Sequence, residues 1–305
     1  MSGSLREIKG KFQDLLGVLR FGRMEEDVQV LMFHDISEPK DYGPGMYSIS
    51  EEDFERIISE ISKTHEFVSL EEIVSWLEGE KDLPEKAVAV TFDDGYRSTK
   101  EKALPILEKF SVPATVYIPS NFLDIDSMYN FRLVEFLEEN SEISFGFDGE
   151  DFSFDLESVQ EEKKAYEEIK GNLENLEVSE RQEFLDNLGA GKSGSGKLMD
   201  EEEIKELDEN ELISIGAHST EHRRLTDLKL EDARKSIVES KSSLERILGH
   251  EVSSFSFPFG SKNRKLVKAV EEAGFENAVV TEEREISERD WRKVYRIPRI
   301  DGKDL

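Results

Sequence analysis

Apolar positions along this chain come in short bursts, and several bursts stop at a polar or charged residue. Val28–Phe33, Ala87–Phe92, Pro113–Ile118, Leu212–Gly216 and Val252–Ser256 read as buried strands. Between them, apolar residues fall three and four apart, the spacing of amphipathic helices. That spacing predicts helices over 51–62, 70–79, through Leu104 and Leu107, over 228–248 and from Arg264 to Ala273. Ser50 is placed to cap the first and Gly249 to close the long fourth. A short strand at 277–280 and an apolar stretch from Val294 to Ile300 complete the series. Strands alternating with helices predict an α/β fold on a parallel sheet.

The alternation breaks at about residue 121. Phe145 and Phe147, then Asp148-Gly149, then Phe152 and Phe154 predict a hairpin on a tight turn. Residues 156–187 are rich in Glu and read as helical, and Gly189–Lys197 reads as a flexible linker. Residues 121–198 are therefore expected to be an insert in a main domain of 26–305. Residues 1–25 stand apart. Leu5, Ile8, Phe12, Leu15, Leu16 and Leu19 predict an amphipathic helix over 5–23, with five basic side chains against two acidic. Packing on the parent domain is the favoured reading, and contact with a membrane surface is the alternative. Gly191–Lys197 nearly matches a phosphate-binding loop. Leu198 follows where the loop needs a hydroxyl, and a charged helix precedes it instead of a strand, so the linker reading stands.

Composition narrows the chemistry. The 305 residues include no cysteine, which excludes disulfides, thiolate metal sites and a Cys nucleophile. Any metal must be held by His, Asp or Glu. No apolar run is long enough for a membrane span, and no secretory signal is visible. The expected location is the cytoplasm or the cytoplasmic membrane surface, or outside the cytoplasm if a leader was lost. A net charge of −29 excludes nucleic acid as a partner. The acidity fits a surface adapted to high salt, or an excess concentrated in the insert.

Candidate chemistry sits at strand ends. Asp93 and Asp94 directly follow Ala87–Phe92. Adjacent carboxylates repel, and a nearby cation relieves that repulsion; the competing reading is an ordinary Asp-Gly turn. His218 and His222 are spaced i,i+4, which puts both rings on one side of a helical turn and suits one metal. His34 follows Val28–Phe33, and Phe257-Pro258-Phe259-Gly260 follows Val252–Ser256. If the strands are parallel, these groups meet at one carboxyl edge, where α/β barrels build their sites. His65 and His250 read as surface residues. One Asp and two His form a set with open positions, fit for Zn²⁺ or a similar divalent ion such as Co²⁺, Ni²⁺ or Fe²⁺. Such an ion activates water, a second carboxylate takes a proton, and a further His gives one. The residues themselves thus predict a metal-assisted hydrolase and no particular substrate.

Thr91–Tyr96, His218–His222 and Phe257–Gly260 together resemble the polysaccharide deacetylase (NodB-homology) family, and occur in that family's order. Ala103–Leu107, Gly216-Ala217, Ser240-Lys241 and Leu248-Gly249 are similar as flanks. The resemblance spans roughly 28–120 and 198–300. It implies a distorted (β/α)7 TIM-like barrel that removes N-acetyl groups from amino sugars, usually in polymers. It implies Asp94, His218 and His222 as metal ligands and Asp93 as general base. The family's acid His lies near the C-terminus, where this chain has none. Leu31–Asp35 is similar to that motif, as in a permuted branch that includes poly-N-acetylglucosamine deacetylases, so His34 is the expected acid. A backbone N–H near Phe259 is expected to hold the oxyanion. Tyr96, Phe257, Pro258 and Phe259 are the expected apolar wall for the acetyl methyl, with plain core packing as the competing reading. Other branches carry an Arg near the third motif. Ser253–Ser256 has none, and Arg299 is the expected substitute. Asp290-Trp291 is similar to another family motif but lies in a charged segment that reads as loop. The competing functions are hydrolysis of another amide or ester on the same barrel, and non-catalytic glycan binding.

Overall fold

The computed structural model describes residues 28–121, 129–173, 176, 178–190, 198–286, 290 and 293–305. The predicted helix over 5–23, the core of the linker and Trp291 lie outside these residues. The strands, in chain order, are β1 (Gln29–Phe33), β2 (Glu66–Phe67), β3 (Ala87–Phe92), β4 (Ala114–Ile118), β5 (Glu142–Phe147) and β6 (Glu150–Asp155). They continue with β7 (Ile213–Ala217), β8 (Ser254–Ser256), β9 (Asn277–Thr281) and β10 (Ile297–Asp301). Around the barrel the order is β1-β10-β9-β8-β7-β4-β3, and β1 pairs with β3 to close the ring. Every pairing in that ring is parallel. Among the described residues this is a closed seven-stranded TIM-like barrel, and β2 adds to β3 at its start. The first strand of the chain thus sits between the last strand and the Asp-Asp strand. That placement brings His34 to Asp93.

The barrel helices that the apolar spacing predicts all form, and one more, Glu201–Asp208, was not predicted. In α1 (Glu51–Ile61), Phe54, Ile57, Ile58 and Ile61 are buried on one stripe, and Ser50 caps the helix by accepting from the Asp53 N–H. In α2 (Leu70–Glu78), Ser69 and Glu72 form a reciprocal capping box. The remaining barrel helices are α3 (Leu104–Phe110), α7 (Glu201–Asp208), α8 (Leu230–Leu248) and α9 (Arg264–Glu272). Gly249 closes α8 at φ 81°, a left-handed conformation that costs glycine little. The predicted strand 252–256 shortens to Ser254–Ser256.

Between β4 and α7 stand α4 (Tyr129–Glu139), the β5–β6 hairpin, α5 (Val159–Leu173) and α6 (Val178–Leu188). The hairpin turns at Asp148-Gly149, both at positive φ, which matches the right-handed twist of its strands. Leu133, Leu137, Ile143, Tyr166, Ile169 and Leu185 form a second core here, and Tyr42 joins it from the loop after β1.

A polar ladder runs inside the barrel. Tyr117 on β4 bonds Ser254 on β8 (2.7 Å), which donates to Asn277 on β9 (2.6 Å). The Tyr117 ring lies against Gly216, where a Cβ would come 2.5 Å from two ring carbons. Only glycine lets that ring cross the barrel. His65 departs from its surface reading. It is 8% exposed, and its Nδ1 lies 2.7 Å from the Thr64 hydroxyl.

Candidate active site

Parallel strands deliver their carboxyl ends to one edge. β3 ends in Asp93 and Asp94, β1 in His34, and β7 leads into His218. The register pairs Phe33 with Phe92, and the Asp93 N–H donates to the Phe33 carbonyl (2.9 Å). Asp93 and His34 are therefore neighbours across two strand ends.

Asp94, His218 and His222 converge so that one ligand atom from each lies within 4.8 Å of the others. Asp94 Oδ1 stands 3.1 Å from His222 Nε2 and 3.5 Å from His218 Nε2, yet no hydrogen bond satisfies this buried oxygen. His218 Nδ1 meets the Ser256 carbonyl at 2.8 Å. That contact requires the proton on Nδ1 and leaves the Nε2 lone pair facing the Asp94 oxygen. Two imidazoles converging on a buried carboxylate oxygen without a hydrogen-bond partner form a candidate cation site. The donor set of two imidazoles and one carboxylate fits a divalent ion of the zinc class.

His218 and His222 do not sit on a helix, as their spacing predicts. They sit in an irregular turn. Ser219 and His222 take φ 64° and 50°, and the turn is pinned by Ser120 N–H to the Ser219 carbonyl and His222 N–H to Ser219 Oγ. Asp94 (φ 74°) and Phe259 (φ 57°) are also left-handed. Four non-glycine residues in this conformation lie at one edge, each costing on the order of 1 kcal/mol, and the surrounding bonds hold them there.

Arg299 on β10 is fully buried and clamps Asp93. Its Nη1 donates to Asp93 Oδ1 at 2.7 Å and its Nη2 to Oδ2 at 2.6 Å. Thr91 and Ser256 accept the remaining Nη protons at 3.1 and 3.0 Å. Burial alone would raise the Asp93 carboxyl; Arg299 first, then His218, more than offset it and hold the group at about 2. Burial likewise opposes ionisation of Asp94, and His222 and His218 hold it well below the usual carboxylate range. The His222 side chain is 19% exposed at the rim, yet burial among its neighbours pushes the imidazole down to about 4. His218 moves the other way. Burial lowers it, but the two carboxylates it faces raise it.

A family model for polysaccharide deacetylases matches residues 80–278, more than half of the chain. The chain belongs to the polysaccharide deacetylase family. Among curated relatives, YxkH of Bacillus subtilis is 21% identical over 255 residues, covering 83% of this chain and 64% of that protein. The poly-beta-1,6-N-acetyl-D-glucosamine N-deacetylase of Staphylococcus epidermidis is 28% identical over 123 residues, covering 39% of this chain and 42% of that enzyme. The chain thus spans less than two thirds of the length of either. The deacetylase PplD of Streptococcus pyogenes, solved with acetate, superposes with a TM-score of 0.60 at 16% identity, covering 92% of this chain and 96% of that one. IcaB from Ammonifex degensii gives 0.59 at 17% identity, covering 90% and 91%. These two share the barrel fold.

Within this family member, the structure gathers His34, Asp93, Asp94, His218, His222 and Arg299 at one edge. It separates the expected apolar wall. Tyr96 and Phe257 are 1% and 0% exposed, Pro258 is buried too, and Phe257 packs edge-on against Phe255 in the core. Phe259 is 52% exposed, with its ring 4.7 Å from that of His222. Of the four residues, Phe259 alone presents its side chain at the surface. Asp290 is taken up by a bidentate pair with Arg284 (2.7 and 3.0 Å). His250 is exposed and pairs with Asp208 at 2.6 Å. Sequence reasoning missed Thr91 and Ser256, which complete the clamp on Arg299. Thr91 is the one polar side chain in a strand that is otherwise apolar, whereas Ser256 lies in a serine-rich strand where nothing marks it out. It also missed Asp35, which accepts from the hydroxyls of Ser37, Ser48 and Ser98 and steadies the chain beside His34.

Proposed function

We propose that the chain is a divalent-metal-dependent N-deacetylase of an amino-sugar polymer or oligosaccharide. The observation that carries the reading is Asp93, a buried carboxylate fixed by Arg299 directly beside a three-ligand cation site. Sugar binding alone needs neither the clamp nor the ligands.

Asp94, His218 and His222 hold the ion, with Zn²⁺ the favoured species. When bound, it supplies Lewis acidity, which polarises the acetyl carbonyl and makes water more acidic. Asp93 accepts the proton of the attacking water, and its two fixed Arg299 bonds keep the carboxylate ionised and aimed. The new C–O bond forms at the acetyl carbon. Negative charge develops on the acetyl oxygen, where the backbone N–H of the Phe259 turn serves as donor. His34 gives its proton to the departing nitrogen as the C–N bond breaks, releasing acetate and a free sugar amine. Phe259 covers the acetyl methyl. The natural partner is an N-acetylated glycan. No described helix is long and apolar enough to cross a membrane.

The test is acetate release from short N-acetylglucosamine oligomers, before and after chelation and on addition of Zn²⁺ or Co²⁺. Metal-restored release supports the reading. An ion bound at one per chain with no release moves it to another amide or ester.

A further inference from the structure

Five large apolar side chains stand exposed among the described residues, and Met46, Tyr47 and Phe259 are three of them. Tyr47 is 48% exposed, and its ring lies against the His34 imidazole with centroids 5.2 Å apart. Lys303 donates to the Met46 carbonyl and sits 5.1 Å from the Tyr47 ring centre, fixing this edge from the C-terminal side.

The segment carrying Tyr47 is a strap, residues 35–49, between β1 and α1. Its middle is held by the insert. Tyr42 is fully buried in the insert's core, with its ring 5.3 Å from Tyr166 and its hydroxyl donating to Glu162 at 2.5 Å. Lys40 reaches Glu162 at 2.6 Å and Glu138 at 3.1 Å. Gly43, at φ 56°, lies so close to α4 that a Cβ would come 2.9 Å from Val134 Cγ2. None of these contacts takes part in the hydrolytic chemistry. Each fixes the chain within a few residues of Tyr47.

We infer that Tyr47 is the stacking platform for the pyranose ring that bears the acetamide, and that the insert holds it in place. The inference deepens the deacetylase reading and rests on it for the role of His34. The nitrogen protonated by His34 is bonded directly to a sugar ring carbon, so that ring must lie beside His34. The side chain waiting there is a half-exposed aromatic. A pyranose presents a face of C–H groups, and a tyrosine ring offers a large rigid surface to it at little conformational cost.

Titration calorimetry with tetra-N-acetylglucosamine measures the platform without relying on acetate release. Tyr47→Ala is expected to weaken binding about tenfold, and Tyr47→Phe to restore it. Glu162→Ala removes the acceptor shared by Lys40 and Tyr42. It is expected to weaken binding as well and to speed amide exchange over residues 40–47. Wild type that does not bind, or Tyr47→Ala that binds like wild type, overturns the platform. Glu162→Ala with unchanged binding or unchanged exchange overturns the insert's part. Binding that depends on Tyr47 in a protein that releases no acetate keeps the platform and removes the deacetylase reading.

Discussion

Arg299 meets Asp93 through two parallel hydrogen bonds, 2.7 and 2.6 Å long, in the interior of the barrel. Both groups are charged and buried, so the pair stands or falls together. Arg299→Met leaves Asp93 buried without its cation, a loss of about 3–5 kcal/mol. The pH dependence has a definite sign. Arg299 and His218 bring the folded carboxyl from 3.8 down to about 2. Its stabilisation is therefore present above about pH 4 and is lost as pH falls through about 2. Urea unfolding between pH 3 and 7 should show the gap between wild type and variant widest at pH 7 and narrowing toward pH 3, where protonation neutralises the unpaired Asp93.

His34 is proposed to protonate a poor leaving group, a sugar amine. Replacing it with alanine should cost about 10²–10⁴ in rate on an N-acetyl sugar. An aryl acetate, whose phenolate leaves without a proton, should lose less than about tenfold, since the general-acid contribution is what the variant removes. Parallel rate measurements on the two substrates check this. Equal losses on both would deny His34 its role.

Gly216 has no side chain because the Tyr117 ring occupies that space. Gly216→Ala should destabilise the protein by about 1–3 kcal/mol through overpacking. Adding Tyr117→Leu to that variant should recover part of the loss. Denaturant midpoints of the single and double variants measure both effects.

His250 donates its Nε2 proton to the Asp208 carboxylate on the surface, and that contact raises its pKa above 6.5. The charged pair stabilises the fold fully below about pH 6.5, and the contribution is lost as pH rises through the raised value. The pair is exposed, so its effect should stay within about 1 kcal/mol. Asp208→Asn should return the imidazole toward 6.5, read directly by NMR titration of the ring protons.

The barrel was legible because its strands are buried and several read as mostly apolar runs, as β3 does from Ala87 to Phe92 with Thr91 its one polar residue. Asp93 and Asp94 stood out because charge at the end of such a run needs a reason. Closure of the ring was less local. Nothing near Val28–Phe33 announces that it pairs with both Ile297–Asp301 and Ala87–Phe92, and that pairing brings Arg299 and His34 to Asp93. The His218–His222 turn misread as helical because its left-handed residues are serine and histidine, and no glycine marks the bend. Phe257 and Phe259 look alike in sequence, but the turn between them sends one inward and the other out. Tyr42 and Lys40 gave no sign of their tie to the insert, since their partners lie over a hundred residues away.

Asp93 is proposed to act as base beside an ion held by Asp94, His218 and His222. That role is tested most directly by measuring metal content and acetate release together, on N-acetylglucosamine oligomers, for wild type and Asp93→Asn. About one divalent ion per chain is expected in both proteins, with acetate release lower in the variant by about 10³-fold. Undiminished release from Asp93→Asn with its metal in place would contradict that role.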